Sequence, residues 1–126
     1  MSPPVIMQRV ALGSHCALIV AVVLHDPGLL SLSLAAILLA PLPGLLRART
    51  YTAAWASMLV AFYVAGYLAE GYAQPDTRVG SFLVASIAAL DYLSLMMFVR
   101  FRGREAAAIR ASAPAAETAP SDDAAR

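Results

Sequence analysis

Four long apolar stretches, separated by short polar breaks, fill most of this chain of 126 residues. They run over residues 5–24, 29–46, 53–72 and 79–99. The hydrocarbon core of a bilayer needs about 20 mostly apolar residues for one helical crossing, and each stretch is near that length. The pattern predicts an all-α protein, a four-helix transmembrane bundle whose short loops connect the helices in antiparallel, up-and-down order.

The composition leaves little room for a second domain. The chain is 60% hydrophobic and only 13% charged, whereas soluble domains have about 25% charged residues. We therefore expect residues 1–105 to form one transmembrane domain. Residues 106–126 are Ala, Pro, Ser and acids with almost nothing to bury, so they are expected to form a disordered tail after a short extension of the fourth helix.

The first and second stretches each raise a question. The first ends in His25-Asp26-Pro27-Gly28 without a small-x-small cleavage site, so we expect it to remain as a helix rather than be removed as a signal peptide. The second contains Pro41 and Pro43. A membrane helix tolerates proline when neighbours satisfy the freed carbonyls, so we expect a kinked crossing that finishes at Leu46. A re-entrant half-helix is the alternative.

The placement of arginine predicts the orientation in the membrane. All nine basic residues are Arg. Eight of them lie near the ends of the stretches. When the stretches alternate in direction, only Arg78 falls on one side and seven fall on the other: Arg9, Arg47, Arg49, Arg100, Arg102, Arg104 and Arg110. The positive-inside rule then places both termini in the cytoplasm. Five of these side chains, Arg47, Arg49, Arg100, Arg102 and Arg104, are expected to contact lipid headgroups.

Aromatic residues at the two ends of the third stretch agree with this orientation. Tyr51 and Trp55 lie at the arginine-rich side and Tyr67 and Tyr72 at the other, as in the aromatic belts of membrane proteins.

Small residues recur at four-residue spacing in three stretches and predict where helices pack closely. The rows are Gly13, Ala17, Ala21 in the first stretch, Ala53, Ser57, Ala61, Ala65, Ala69 in the third, and Ser81, Ala85, Ala89 in the fourth. Packing inside the bundle is the simpler interpretation. A homodimer interface on the third helix is the alternative.

Two ionisable residues, His15 and Asp91, are expected at similar depth in the membrane. At about 1.5 Å rise per residue, Asp91 lies roughly 13 Å from Arg100, and His15 about 9 Å from Arg9. Intramembrane ionisable groups usually face a partner or water. The pair is expected either to form a hydrogen bond that holds the first and fourth helices in register, or to exchange protons in a translocation path, since histidine titrates near neutral pH.

Glu70 belongs to a different neighbourhood. Tyr63, Tyr67 and Glu70 fall at i, i+4 and i+7 and share one helix face. Glu70 is expected to pair with Arg78 or His25 in a polar cap over the bundle, and a ligand or ion entry site is the alternative. We list His15, Tyr63, Tyr67, Glu70 and Asp91 as candidate binding residues.

No motif in the chain indicates catalysis. No Ser/His/Asp, His-rich or Cys-based arrangement has usable spacing. The single cysteine, Cys16, excludes an internal disulfide and a Cys-based zinc site. We therefore expect no enzyme activity, no cofactor and no metal site. Nucleic acid is not expected as a partner, because no soluble surface presents the basic charge.

The middle and end of the chain resemble an uncharacterised family of bacterial inner-membrane proteins, the domain-of-unknown-function family DUF2069. The resemblance rests on Leu42-Pro43-Gly44-Leu45-Leu46-Arg47, Arg49, Tyr51-Thr52, Trp55-Ala56-Ser57, Tyr63, Glu70 and Arg102-Gly103-Arg104-Glu105. It covers about residues 41–105. It implies four helices and a multi-pass location in the inner membrane, and it supplies no established activity.

Together these features favour a small accessory or structural protein of the inner membrane. Its expected partners are the lipid bilayer and the helices of another membrane protein or of a second copy. A small proton-linked transporter or channel that uses Asp91, His15 and Glu70 is the alternative.

Overall fold

The computed structural model describes residues 3–113, which form helices joined by short turns. The five helices are α1 (Pro3–His25), α2 (Leu29–Leu39), α3 (Leu42–Leu46), α4 (Thr50–Ala73) and α5 (Arg78–Ser112). No strand occurs in residues 3–113. Four segments are long and apolar enough to cross a membrane: α1, α2 together with α3, α4, and α5. The predicted all-α, four-helix transmembrane architecture is confirmed.

The longest helix, α5, is the centre of the bundle. It packs against α4 and against α1, and α2 packs against α1. The shared core contains Leu18 and Val22 of α1, Val60 of α4 and Leu95 and Phe98 of α5. Because consecutive spans are joined by short turns, they run in opposite directions, and the connectivity is up-and-down as predicted.

Large apolar side chains cover the outside of the bundle. Leu29 is 86% exposed and Val79 81% exposed, and similar residues lie on every span. A soluble protein rarely leaves such a continuous apolar surface uncovered. Hydrocarbon as the surrounding solvent accounts for it, because lipid tails are as apolar as these side chains.

The second span is broken in two by its prolines. Pro41 and Pro43 have no N–H to offer the Ile37 and Leu39 carbonyls, and the Ile37 carbonyl accepts from Ala40, three residues on, at 3.2 Å. After the break, α3 continues toward the start of α1, where the Gln8 side chain donates to the carbonyls of Leu45 (3.1 Å) and Leu46 (3.2 Å). The segment therefore runs along the whole of α1, as a kinked crossing does and a re-entrant half-helix does not.

Gly44 allows α3 to approach the beginning of α4. A Cβ at Gly44 would overlap the side chain of Thr52. The turn between the two helices contains Ala48 with a φ of 53°, in the left-handed region that non-glycine residues seldom adopt. The close contact and the tight turn together set where the third span begins.

The small-residue rows pack only in part. Ser81 and Ala85 of α5 and Ala53 and Ser57 of α4 are buried, as predicted. The remaining members of the α4 row (Ala61, Ala65 and Ala69) are exposed, as are Gly13 and Ala17 of α1. Internal packing was thus a wrong prediction for these positions. A four-residue spacing drifts by about 40° per step around a helix of 3.6 residues per turn, so a long row winds out of the contact.

One further expectation needs correction. Tyr51, Trp55 and Tyr72 are exposed like residues of an aromatic belt, whereas Tyr67 is buried in the bundle. Helix α5 extends to Ser112, so residues 106–112 form the expected extension of the fourth helix, about two turns long. The rest of that tail, from residue 114, lies outside the described residues. Residues 103–112 are exposed throughout, because no other described helix reaches them.

Candidate functional site

The first candidate site joins α1 to α5 inside the bundle. His15 Nδ1 lies 2.7 Å from Asp91 Oδ2, and both side chains are 0% exposed. Counting residues along the two helices predicted similar depths for them, and the structure places them in direct contact. Two ionisable groups without access to water require each other, since neither has another source of compensating charge.

Hydroxyl groups complete the surroundings of Asp91. The Ser14 hydroxyl donates to Asp91 Oδ1 at 2.8 Å and lies 2.9 Å from the Ser94 hydroxyl. The Ser94 hydroxyl in turn donates to the Asp91 backbone carbonyl at 2.8 Å. Both carboxylate oxygens therefore have hydrogen-bond partners. We name Ser14, His15, Asp91 and Ser94 the His15–Asp91 cluster.

The other nitrogen of His15 bonds to the broken second span. Nε2 lies 2.9 Å from the Leu38 carbonyl oxygen. This carbonyl is in the last turn of α2, where the usual partner four residues later is missing. Because a carbonyl can only accept, Nε2 carries a proton. The Nδ1–Asp91 bond then holds one proton between its two partners, so the pair has no net charge whichever atom carries it.

The second candidate site is a cavity of about 640 Å³ between α2 and α4, which do not pack closely on each other. Its polar lining includes His25, Asp26, Tyr63, Tyr67 and Glu70. The structure therefore brings Tyr63, Tyr67 and Glu70 to one surface, as their spacing on the helix predicted. We name this space the Glu70 cavity.

His25 forms one wall of the Glu70 cavity. Its Nε2 lies 3.5 Å from Glu70 Oε1 and 3.2 Å from the Ser81 hydroxyl. Its ring packs edge-on against Tyr67, with 5.5 Å between the ring centroids. The ring lies directly over Gly80, where an added Cβ would come within 2.6 Å of Nδ1. Glycine at this position lets α1 and α5 approach closely enough for His25 to reach Glu70.

Of three hydroxyl groups at the cavity, one has a hydrogen-bond partner in the described part of the chain and two have none. The Tyr63 hydroxyl donates to the Leu34 carbonyl at 2.7 Å, which ties α4 to α2. Tyr67 is only 7% exposed, yet its hydroxyl forms no hydrogen bond with any described residue. The buried Thr77 Oγ1, on the same cavity, also has no partner in the described part of the chain.

Arg78 does not take the partner that the sequence suggested. Its Nε donates to the Gly71 carbonyl, in the last turn of α4, at 3.1 Å. Glu70 is paired with His25 instead, so of the two partners considered the structure selects His25.

The arginine side chains that are expected to contact lipid headgroups lie at the opposite end of the bundle from the Glu70 cavity. Arg47, Arg49, Arg100 and Arg104 are exposed. Arg102 is partly covered: its guanidinium lies 5.9 Å from the centre of the Phe98 ring and 3.7 Å from Glu105.

Sequence reasoning missed three contributors to these sites. Gln8, the Leu38 carbonyl and Thr77 were not among the candidates. Gln8 and Leu38 had a signal in the sequence, because prolines that end a helix inside a span leave the carbonyls of its last turn for neighbouring donors to satisfy. Thr77 had no such signal, since no pattern in the sequence distinguishes a loop threonine with a buried hydroxyl from one that is exposed.

The acidic and histidine side chains of the two candidate sites do not resemble a metal centre. Within residues 3–113, no group of three or more His, Cys, Asp or Glu side chains is positioned to hold an ion. Asp26 lines the same cavity as Glu70 and His25, but the three side chains are not positioned to bind one metal ion together.

Comparison with known proteins finds one family. The family model described as "Predicted membrane protein (DUF2069)" matches residues 10–103. The match includes α1 as well as the later helices, and so extends beyond the part of the chain that carried the resemblance. No curated protein and no solved structure matches this chain.

Proposed function

Because this chain belongs to the DUF2069 family of predicted membrane proteins, we propose that it is a small accessory protein of the bacterial inner membrane. It has no enzyme activity in this proposal. It binds the helices of another membrane protein, or of a second copy, through the lipid-facing side of α4, and both of its termini lie in the cytoplasm.

The observation that carries the proposal is the complete internal bonding of the His15–Asp91 cluster. Both ring nitrogens of His15 and both carboxylate oxygens of Asp91 have protein partners, and neither side chain is exposed. A proton path requires access to water from at least one side. A closed cluster that links α1, α2 and α5 instead favours a structural role, in which it keeps the broken second span in register.

The exposed small residues of α4 support a helix-binding role. Ala61, Ala65 and Ala69 are exposed, on the part of the row that winds away from α5. In lipid, small side chains are what allow two helix backbones to approach closely. A partner helix seated there would gain packing contacts that this chain does not use internally.

The arginine distribution supports the proposed orientation. Arg47, Arg49, Arg100 and Arg104 are exposed at the end of the bundle where α1 begins. Cytoplasmic loops carry such an excess of Arg, and anionic headgroups attract it.

A proton-linked transporter or channel is the second candidate. The observation that favours it is an Asp–His pair at depth in a membrane bundle, which is a common element of proton relays. In that case His15 and Asp91 would have to reach water in another conformation, with Glu70 at the entrance. Flux through reconstituted liposomes, lost in Asp91→Asn, would support this candidate and contradict the accessory role.

In-cell photocrosslinking tests the accessory role directly. A photoreactive residue at Ala61 or Ala65 should give a discrete protein adduct, identified by mass spectrometry, while the same residue at exposed Val20 of α1 should not. Ala61→Ile should abolish the adduct from position 65 and leave the thermal unfolding of the chain unchanged. If positions 61 and 65 yield only lipid adducts, the proposed helix-binding face is wrong.

A further inference from the structure

We propose that the Glu70 cavity binds an organic ammonium ion that carries an apolar chain. The ligand enters from the lipid between α2 and α4, with its ammonium group at Glu70 and its chain along the apolar wall. This inference does not depend on the accessory role.

The shape of the cavity fits an amphiphile. A volume of about 640 Å³ is within the usual range for small-molecule pockets, about 300–1,000 Å³, and far exceeds what a bare ion needs. The part of the lining that faces lipid is apolar and includes Leu30, Leu34 and Phe62. Leu30 and Phe62 are 71% and 77% exposed, so the gap between α2 and α4 opens sideways to the hydrocarbon.

The charge of the cavity favours a cation. Two acids, Asp26 and Glu70, line it. His25 is the one basic side chain in the lining, and it has Glu70 and Ser81 as partners. Acids outnumber bases in the lining, so a ligand with one positive charge lowers the electrostatic energy there.

Hydroxyl groups without partners provide independent support. Tyr67 is more than nine-tenths buried and its hydroxyl bonds to no described residue, and the Thr77 hydroxyl is also unpartnered. A buried polar group left without a hydrogen bond is costly. A ligand with a polar atom next to its ammonium group would give the Tyr67 hydroxyl a partner, because a hydroxyl can donate or accept.

The surroundings fit an organic cation better than a metal ion. Residues 3–113 position no group of three His, Cys, Asp or Glu side chains as metal ligands. Aromatic rings line the cavity instead: Phe62, Tyr63 and Tyr67. Rings beside carboxylates are a common environment for ammonium groups, which are attracted to the face of a ring.

Two sources supply this chemistry. One is a phospholipid with an ethanolammonium headgroup, and the other is a free hydrophobic amine. The same recognition serves both, so the experiment has one arm for each.

The first arm measures binding of decylamine by calorimetry to the full chain in neutral maltoside detergent, with decanol as the uncharged probe. We expect decylamine to bind and decanol not to bind. Glu70→Gln should weaken decylamine binding about tenfold or more, because it removes one charge-assisted hydrogen bond to the ammonium group. Tyr67→Phe should weaken decylamine binding about threefold, because it removes one neutral hydrogen bond.

Matched controls exclude general effects of the substitutions. Glu105→Gln removes an acid at the opposite end of the bundle. Tyr72→Phe removes the hydroxyl of an exposed tyrosine on α4, the helix that also carries Tyr67. Both should bind decylamine as the unmodified chain does. Equal helicity and equal elution in gel filtration show that each variant is folded.

The second arm uses native mass spectrometry after exposure to an equimolar mixture of phosphatidylethanolamine and phosphatidylglycerol with matched chains. Preferential retention of the ethanolamine lipid, lost in Glu70→Gln, supports the proposal with a lipid as the source. Equal retention together with decylamine binding in the first arm supports it with a free amine as the source.

Three results would overturn the proposal. One is that decanol binds as tightly as decylamine. Another is that Glu70→Gln and Glu105→Gln behave alike. The third is that magnesium chloride, titrated without any amine, binds in a Glu70-dependent manner while decylamine does not bind, which would indicate a metal site instead.

Discussion

At the scale of single residues, Asp91 makes its contacts in a way that an amide can reproduce. An Asn at this position has an oxygen to accept from Ser14 and an N–H to donate to His15 Nδ1, while Nε2 keeps its bond to Leu38. We expect Asp91→Asn to change the free energy of unfolding by no more than about 1 kcal/mol. Asp91→Leu should cost about 1–3 kcal/mol, because it leaves the buried Nδ1 of His15 without a hydrogen-bond partner.

Denaturation in mild detergent, followed by circular dichroism, measures both variants. Asp76→Asn, an exposed residue of the turn between α4 and α5, serves as the control and should match the unmodified chain. Equal destabilisation by Asn and Leu would mean that the charge of Asp91, and not its hydrogen bonding, is what the bundle requires.

Gly44 supplies the second prediction at this scale. The Cβ of Gly44→Ala would overlap Thr52, so α3 and α4 have to move apart. We expect a loss of about 1–3 kcal/mol in the free energy of unfolding, the usual cost of overpacking. Gly13→Ala is the control, since a Cβ there meets no atom within 4 Å. A Gly44→Ala variant as stable as Gly13→Ala would show that the contact is readily relieved.

At the scale of elements, the broken second span depends on its neighbours for hydrogen bonds. Gln8 satisfies the Leu45 and Leu46 carbonyls at its end, and His15 satisfies Leu38 at its break. We expect Gln8→Ala to raise hydrogen exchange at the backbone amides of α3 and of the following turn by about tenfold, equivalent to the loss of about one hydrogen bond.

Ser33→Ala is the matched control for Gln8→Ala. The Ser33 hydroxyl bonds only within its own helix, to Leu29, and it is exposed. Exchange in α3 should not change in this variant. If Gln8→Ala also leaves α3 protected, the two carbonyls are satisfied by other means and the contact does not stabilise the end of the span.

The comparison of sequence and structure is most informative for individual elements. The similar depth of His15 and Asp91 was predictable, because a fixed rise per residue converts sequence position into depth. Their direct contact was not, because depth does not specify which way each side chain points around its helix. Whether Ala61 and Ala65 pack was not, because a row at four-residue spacing winds around its helix. Tyr67 was assigned to a belt by its position near a helix end, but its direction around α4 turns it into the bundle.

At the scale of the whole molecule, the number of spans was predictable and their lateral order was not. Length and hydropathy specify four crossings. The central place of α5, and the gap between α2 and α4 that forms the Glu70 cavity, leave no signal in hydropathy. A side chain that faces lipid and one that faces a neighbouring helix are equally apolar, so the sequence does not distinguish them.

Orientation is the prediction that belongs to the whole molecule. Reporter fusions after Arg49 should report a cytoplasmic location, and fusions after Pro75 a periplasmic one, because the arginines near the first position favour the cytoplasmic side. The activities of paired alkaline phosphatase and green fluorescent protein fusions measure this. The reverse pattern at both positions would invert the proposed topology.

The divided second span also has a consequence for biogenesis. Its open carbonyls find donors on α1, and Tyr63 of α4, which is synthesised later, donates to the Leu34 carbonyl within α2. A segment that leaves the translocon by itself would carry these groups into hydrocarbon, where no water can bond to them. We therefore expect α1 and the second span to partition into the lipid together as a hairpin, and the nascent chain to settle into its final arrangement only after Tyr63 has emerged.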